Sequence, residues 1–203
     1  MRTLPRWGVA LACAALLLGG CTSGSHDMSG MSGTAPANPS ATSSGMAGMS
    51  MTEYPIGQPQ RFEIAAVSAA YSKPADMEPA GMGLSAANAD VHLEANVTAL
   101  QGNKVGFTAG SWIPYLTIDY QITAPNGKVT KGSFMPMTSA HGQHYGANVK
   151  LGDAGTYKLQ YTVHSPTDNG LMVHVDPTNG VTGSFWDAPL VASWDFDYLP
   201  RDW

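Results

Sequence analysis

Asp153-Ala154-Gly155-Thr156-Tyr157-Lys158-Leu159-Gln160-Tyr161-Thr162-Val163 sets an apolar side chain at every second position from Tyr157, with Lys158, Gln160 and Thr162 between them. A period of two belongs to a β-strand with one buried face. The Asp-x-Gly-x-Tyr run that leads into it has the form of a tyrosine corner, in which a buried Tyr hydroxyl bonds back to a backbone group a few residues upstream. Leu159 stands where an antibody-type domain carries cysteine, so the stretch points to a sandwich built without an inter-sheet disulfide.

Working outward, the same pattern recurs. In Val91-His92-Leu93-Glu94-Ala95-Asn96-Val97 a strand would bury Val91, Leu93 and Val97 and project His92 and Glu94 from the other face. Trp112 to Ile122 reads as a strand with Trp112, Leu116, Ile118, Tyr120 and Ile122 on one side. Pro125-Asn126-Gly127 closes it in a tight turn that needs positive φ. Pro189 to Tyr198 gives a last strand, with Leu190, Ala192, Trp194, Phe196 and Tyr198 on its core face. Helical periodicity and internal repeats are absent. The expected fold is all-β, an immunoglobulin-like β-sandwich over residues 58–203.

The N-terminus reads differently. Arg2 and Arg6 precede an apolar run from Val9 to Leu18, too short for a membrane span of about 20 residues. Its charged start and small-residue end fit an export signal over residues 1–20. Leu18-Gly19-Gly20-Cys21 resembles a bacterial lipobox, which implies cleavage before Cys21, lipidation of its sulfur and an anchor in a lipid bilayer outside the cytoplasm. Cys13 leaves with the signal, so no disulfide is available. Residues 21–57 read as a disordered tether of Ser, Gly, Ala, Thr, Pro and Asn with Met28, Met31, Met46, Met49 and Met51 scattered through it beside His26. It is either a spacer that uses Met or a thioether segment for Cu(I). Loss of Arg2 and Arg6 lowers the basic residues from 10 to 8 against 15 acids, taking the formal charge from −5 to −7. That balance argues against nucleic acid as a partner.

The chemistry lies in Phe134 to Asn148, where Met135, Met137, His141 and His144 gather thioethers and imidazoles. Met135 and Met137 flank Pro136 and in an extended segment share a face. His92 and Glu94 can converge on one ion or stand on a solvated strand face. His174, in His174-Val175-Asp176, is a further candidate that Asp176 could orient. Without a free Cys a closed zinc-thiolate site is excluded. No Gly-x-Ser-x-Gly elbow, His-Glu-x-x-His helix or Gly-Lys-Ser/Thr phosphate loop is present, and no catalytic residues are assigned.

Taken together, Met77 to Met82 (Met-Glu-Pro-Ala-Gly-Met), Ala89 to Ala95, Trp112 to Thr117, Phe134 to Met137, His144 to Asn148, Gly155 to Leu159 and His174 to Val181 form an ordered set. From about Ile64 to Tyr198 the chain resembles the periplasmic iron- and copper-binding proteins that partner high-affinity iron permeases, a family with a zinc-binding spirochaetal lipoprotein among its members. The resemblance implies copper and/or iron bound by His92, Met137, His144 and His174, with Glu94 as an adjoining or alternative ligand; Met135 and His141, conspicuous by composition alone, are second-rank candidates for additional ligands, and zinc is a further candidate ion. It also implies a homodimer with the metal pocket near the subunit interface, and iron delivery to a permease without catalytic turnover. His141, the Leu171-Met172-Val173 run where an arginine is expected, and the lipid anchor depart from the pattern. The alternatives are an envelope copper buffer or chaperone, and a structural or adhesive sandwich lipoprotein.

Overall fold

The computed structural model describes residues 52–203; the expected signal peptide over residues 1–20, Cys21 and residues 22–51 lie outside the described residues. Nine strands run in chain order: β1 (Tyr54–Arg61), β2 (Ala65–Ser72), β3 (Val91–Ala99), β4 (Ile118–Thr123), β5 (Val129–Ser133), β6 (Met135–Ser139), β7 (Gly142–Val149), β8 (Gly155–Val163) and β9 (Leu190–Tyr198). They form a five-stranded sheet ordered β1-β2-β3-β7-β6 and a four-stranded sheet ordered β5-β4-β8-β9, with antiparallel pairing throughout. The fold is the expected all-β sandwich. Only two short 3-10 turns, Ala86–Asn88 and Pro166–Asn169, interrupt it among the described residues.

The core follows from the alternation. Tyr157, Leu159, Tyr161 and Val163 of β8 are buried, as are Ala192, Trp194, Phe196 and Tyr198 of β9. Val67, Ala69 and Tyr71 of β2 and Val91, Leu93, Ala95 and Val97 of β3 are the buried counterparts from the other sheet. The Tyr157 hydroxyl donates to the Asp153 carbonyl at 2.7 Å, which closes the tyrosine corner. In the turn between β4 and β5, residues 124–128, Gly127 N–H donates to the Ala124 carbonyl at 2.9 Å, and only Gly127 (φ 81°) takes positive φ.

Three details differ from the sequence reading. The stretch Trp112–Ile122 is a strand only from Ile118 on, because Pro114 donates no hydrogen bond and Tyr115 sits at φ 63°. Fully buried Ile113 replaces Trp112 as the core residue, while half-buried Trp112 bridges to Thr98 and stacks on Tyr145 with ring centroids 4.9 Å apart. Strand β1 already pairs with β2 at Tyr54↔Tyr71, so the sheet includes residues 54–57 that composition had placed in the tether. There Ile56 is buried and Tyr54 stacks on Tyr71 beneath the Arg201 guanidinium.

Buried Phe134 alone separates β5 from β6, so the chain changes sheets across one residue. That crossing brings Met135 and Met137 to the edge of the sheet that holds β3 and β7.

Candidate metal centre

Register places the candidate ligands. His92 pairs with Asn148 and Glu94 with Gly146 across β3 and β7, while Met137 pairs with His144 and Met135 with Gly146 across β7 and β6. Paired residues share a face and so do residues two apart on a strand, so all seven belong to one face of the sheet, away from the core. His92, Glu94 and His144 are buried there, and their ligand atoms lie within 4.8 Å of one another. The His92 and His144 rings meet edge to face with centroids 5.7 Å apart.

Gly146 occupies the middle of this set. A Cβ in its place would lie 2.6 Å from His92 Nε2 and 3.1 Å from Met137 Sδ, so a nitrogen and a sulfur converge on the space a side chain would fill. Two imidazoles, a carboxylate and a thioether around that space form a donor set suited to copper, and the imidazole and carboxylate members also suit iron.

The surroundings decide which nitrogen faces the site. Asn148 Nδ2 donates to the carbonyls of Ala75 (2.8 Å) and Leu84 (2.9 Å), and its Oδ1 accepts from Ala75 N–H at 3.1 Å. The amide orientation is thereby fixed. His92 Nδ1, 3.0 Å from the same Oδ1, must be a donor, which leaves Nε2 with its lone pair toward the site. Burial lowers the His92 pKa; the Asn148 bond and the Glu94 carboxylate oppose that shift, and the His144 ring adds to it. A neutral imidazole is the form that binds a metal. Glu94 Oε1 accepts from the buried Ser72 hydroxyl at 2.9 Å, and its backbone carbonyl accepts from Tyr161 at 3.1 Å, tying the site to the opposite sheet.

Asn148 also explains why this face is covered. Its bonds hold the segment after β2 over β3 and β7, so the alternation that would leave His92 and Glu94 solvated on a bare sheet buries them here. The space beneath is a cavity of about 950 Å³, lined by His92, Glu94, Met137 and His144 and by Met135 and His141 among others. Met135 is half-buried and His141 exposed on the loop between β6 and β7.

His174 is placed elsewhere. It is outside the residues lining the cavity, its side chain is 80% exposed, and its Nδ1 is 3.7 Å from Asp176 Oδ2, beyond hydrogen-bond range. Asp176 instead accepts from Asn179 and Thr178 N–H, which hold its carboxyl below the usual range. Gly146 and Asn148 lie within the His144–Asn148 motif without being among the expected ligands, and Ser72 lies outside every quoted motif. A glycine inside a strand pattern, which signals close approach, was the available sign for Gly146.

Residues 50–199 match the family described as Fe2+ transport protein. A copper-bound variant of FetP from uropathogenic Escherichia coli strain F11 is 45% identical and covers 74% of this chain and 95% of its own, with a TM-score of 0.71. The copper-reconstituted P19 protein of Campylobacter jejuni is 37% identical over 74% of this chain and 99% of its own, with a TM-score of 0.70. The 34 kDa membrane antigen of Treponema pallidum strain Nichols is 36% identical over 197 residues, 95% of each chain.

Proposed function

The chain belongs to the Fe2+ transport protein family, and on that footing we propose that it is an extracytoplasmic lipoprotein that binds copper and iron and delivers iron to a membrane permease. The observation that carries this reading is the buried His92, Glu94 and His144 set, with Met137 Sδ aimed into the same space over Gly146. His92 and His144 would supply neutral imidazole nitrogens, Glu94 a hard oxygen and Met137 a soft sulfur. Copper held there would bring one-electron redox chemistry to the site, and iron is the cargo. Copper bound by the related FetP variant and P19 supports the same assignment.

The arrangement suits capture and release rather than turnover, and the chain is proposed to have no enzymatic activity. Glu94 can serve either ion, and the open cavity above it gives a path for exchange. The Leu18-Gly19-Gly20-Cys21 run supports a lipid anchor on Cys21. No helix among the described residues is long and apolar enough to cross a membrane. His174, exposed and outside the cavity of its own chain, is proposed to complete the site from the second subunit of a homodimer. Met135 and His141 are proposed as cavity-wall ligands rather than members of the central set.

The test is Cu(II) and Fe(II) titration of the mature chain beside His92→Ala and Met137→Ala. His92→Ala should weaken both ions by roughly tenfold or more, and Met137→Ala should weaken copper more than iron. Unchanged affinity in both variants overturns the site. Cells carrying the permease but lacking this chain should regain iron uptake with the wild-type protein and not with His92→Ala.

A further inference from the structure

Met77, Met82, Met135 and Met137 line both the cavity described above and a second cavity of about 380 Å³. The second cavity is walled in part by Tyr120 of β4, Thr130 of β5 and Lys150. Four methionines are therefore common to the linings of the two cavities. Only Met137 is absorbed by the central set. Met135 shares its face of β6, and Met77 and Met82 come from the segment that Asn148 straps over the sheet. Met82 is 49% exposed and Met77 and Met135 are half-buried, so none of the three is sealed core filler. A wall meant only to exclude water would be better served by Leu, Ile or Phe, whose rotamers are better defined than the three-bond chain of Met.

Thioether sulfur is neutral and polarizable, and it selects soft monovalent copper over Cu(II) or Fe(II). The imidazole and carboxylate donors of the central set have the opposite bias. We infer that Met77, Met82 and Met135 form a second metal site, specific for Cu(I), in the lining of the cavity, with Met137 shared between it and the central set. Glu53 lines the same cavity. The inference goes beyond the iron-delivery reading and does not depend on which ion the histidines hold.

Ag(I), a stable soft ion with the ligand preference of Cu(I), is the probe. The mature full-length chain, with Cys21→Ser to remove the thiol and methionine methyl groups labelled with carbon-13, is titrated with silver nitrate and followed by NMR. The first equivalent should move the Met77, Met82 and Met135 signals. Replacing the three by Leu, a nearly volume-conserving change, should weaken Ag(I) at this site by roughly tenfold or more; the Cu(II) EPR spectrum of the central set is read in the double variant Met77→Leu/Met82→Leu, which keeps Met135, and should stay intact. Met82→Leu alone, at an exposed position, should give part of the effect if the triple variant folds poorly. Silver that moves only the methionines of residues 28–51, or a Cu(II) signal that is lost together with silver binding, overturns the second site. A wild-type chain that binds silver as described but shows no Cu(II) signal would retain this site while refuting the central one.

Discussion

At Gly146 a hydrogen replaces the Cβ that would otherwise meet His92 Nε2 at 2.6 Å and Met137 Sδ at 3.1 Å. The residue lies within β7, and its backbone is not in the left-handed region. Gly146→Ala therefore strains no dihedral; its whole effect is the methyl group pressed against two proposed ligands. It should cost the metal-free protein about 1–3 kcal/mol through overpacking, measured by denaturant unfolding. Cu(II) affinity should fall by roughly tenfold or more, because His92 or Met137 must turn aside. A variant that keeps wild-type copper affinity would show that the two atoms do not act together. The sequence made His92 and Glu94 legible as a pair because strand alternation puts them on one face. Their burial was not legible, since it depends on a segment held down by Asn148, some seventy residues away in sequence. Composition alone could not rank Met137 and His144 above Met135 and His141 either; the pairing of β6 with β7 sets Met137 directly opposite His144, while His141 lies exposed on the loop between the two strands.

Strand β8 was the most legible element, because its core face alternates without a break and its corner supplies a specific backbone bond. The β4 region was less so: Pro114 and the positive φ of Tyr115 act before alternation can extend the strand to Trp112. The passage from β5 to β6 across Phe134 carries no local signature, since both sides of the crossing read as ordinary strand. Yet it sets Met135 and Met137 beside β7. The separation of the two sheets gives a prediction at this scale. Tyr157→Phe removes the bond to the Asp153 carbonyl and should destabilise the domain by about 1 kcal/mol. For a domain of this size that is about 2–4 °C in Tm. Copper affinity should not change, because Tyr157 belongs to the four-stranded sheet and its hydroxyl touches no site residue. Loss of copper binding in Tyr157→Phe would mean that the corner positions the site as well as the fold.

On the scale of the whole molecule, His174 is separated from the cavity whose chemistry it matches. Met172 and Val175, 89% and 82% exposed, sit on either side of it, an apolar surface that a second copy would cover. If His174 reaches the partner's cavity, copper affinity becomes a property of the dimer and should weaken on dilution below its dissociation constant. Mixing separates that arrangement from a general loss of structure. His92→Ala has a defective cavity but an intact His174, and His174→Ala has the reverse. Each homodimer should bind Cu(II) weakly. In a mixed dimer one cavity keeps its own His92 and receives His174 from the other chain, so one site of wild-type affinity should return per mixed dimer, read by EPR titration after refolding the two variants together. No recovery, or a His174→Ala homodimer that binds as tightly as wild type, would remove His174 from the site and leave His92, Glu94, Met137 and His144 as a set complete within one chain.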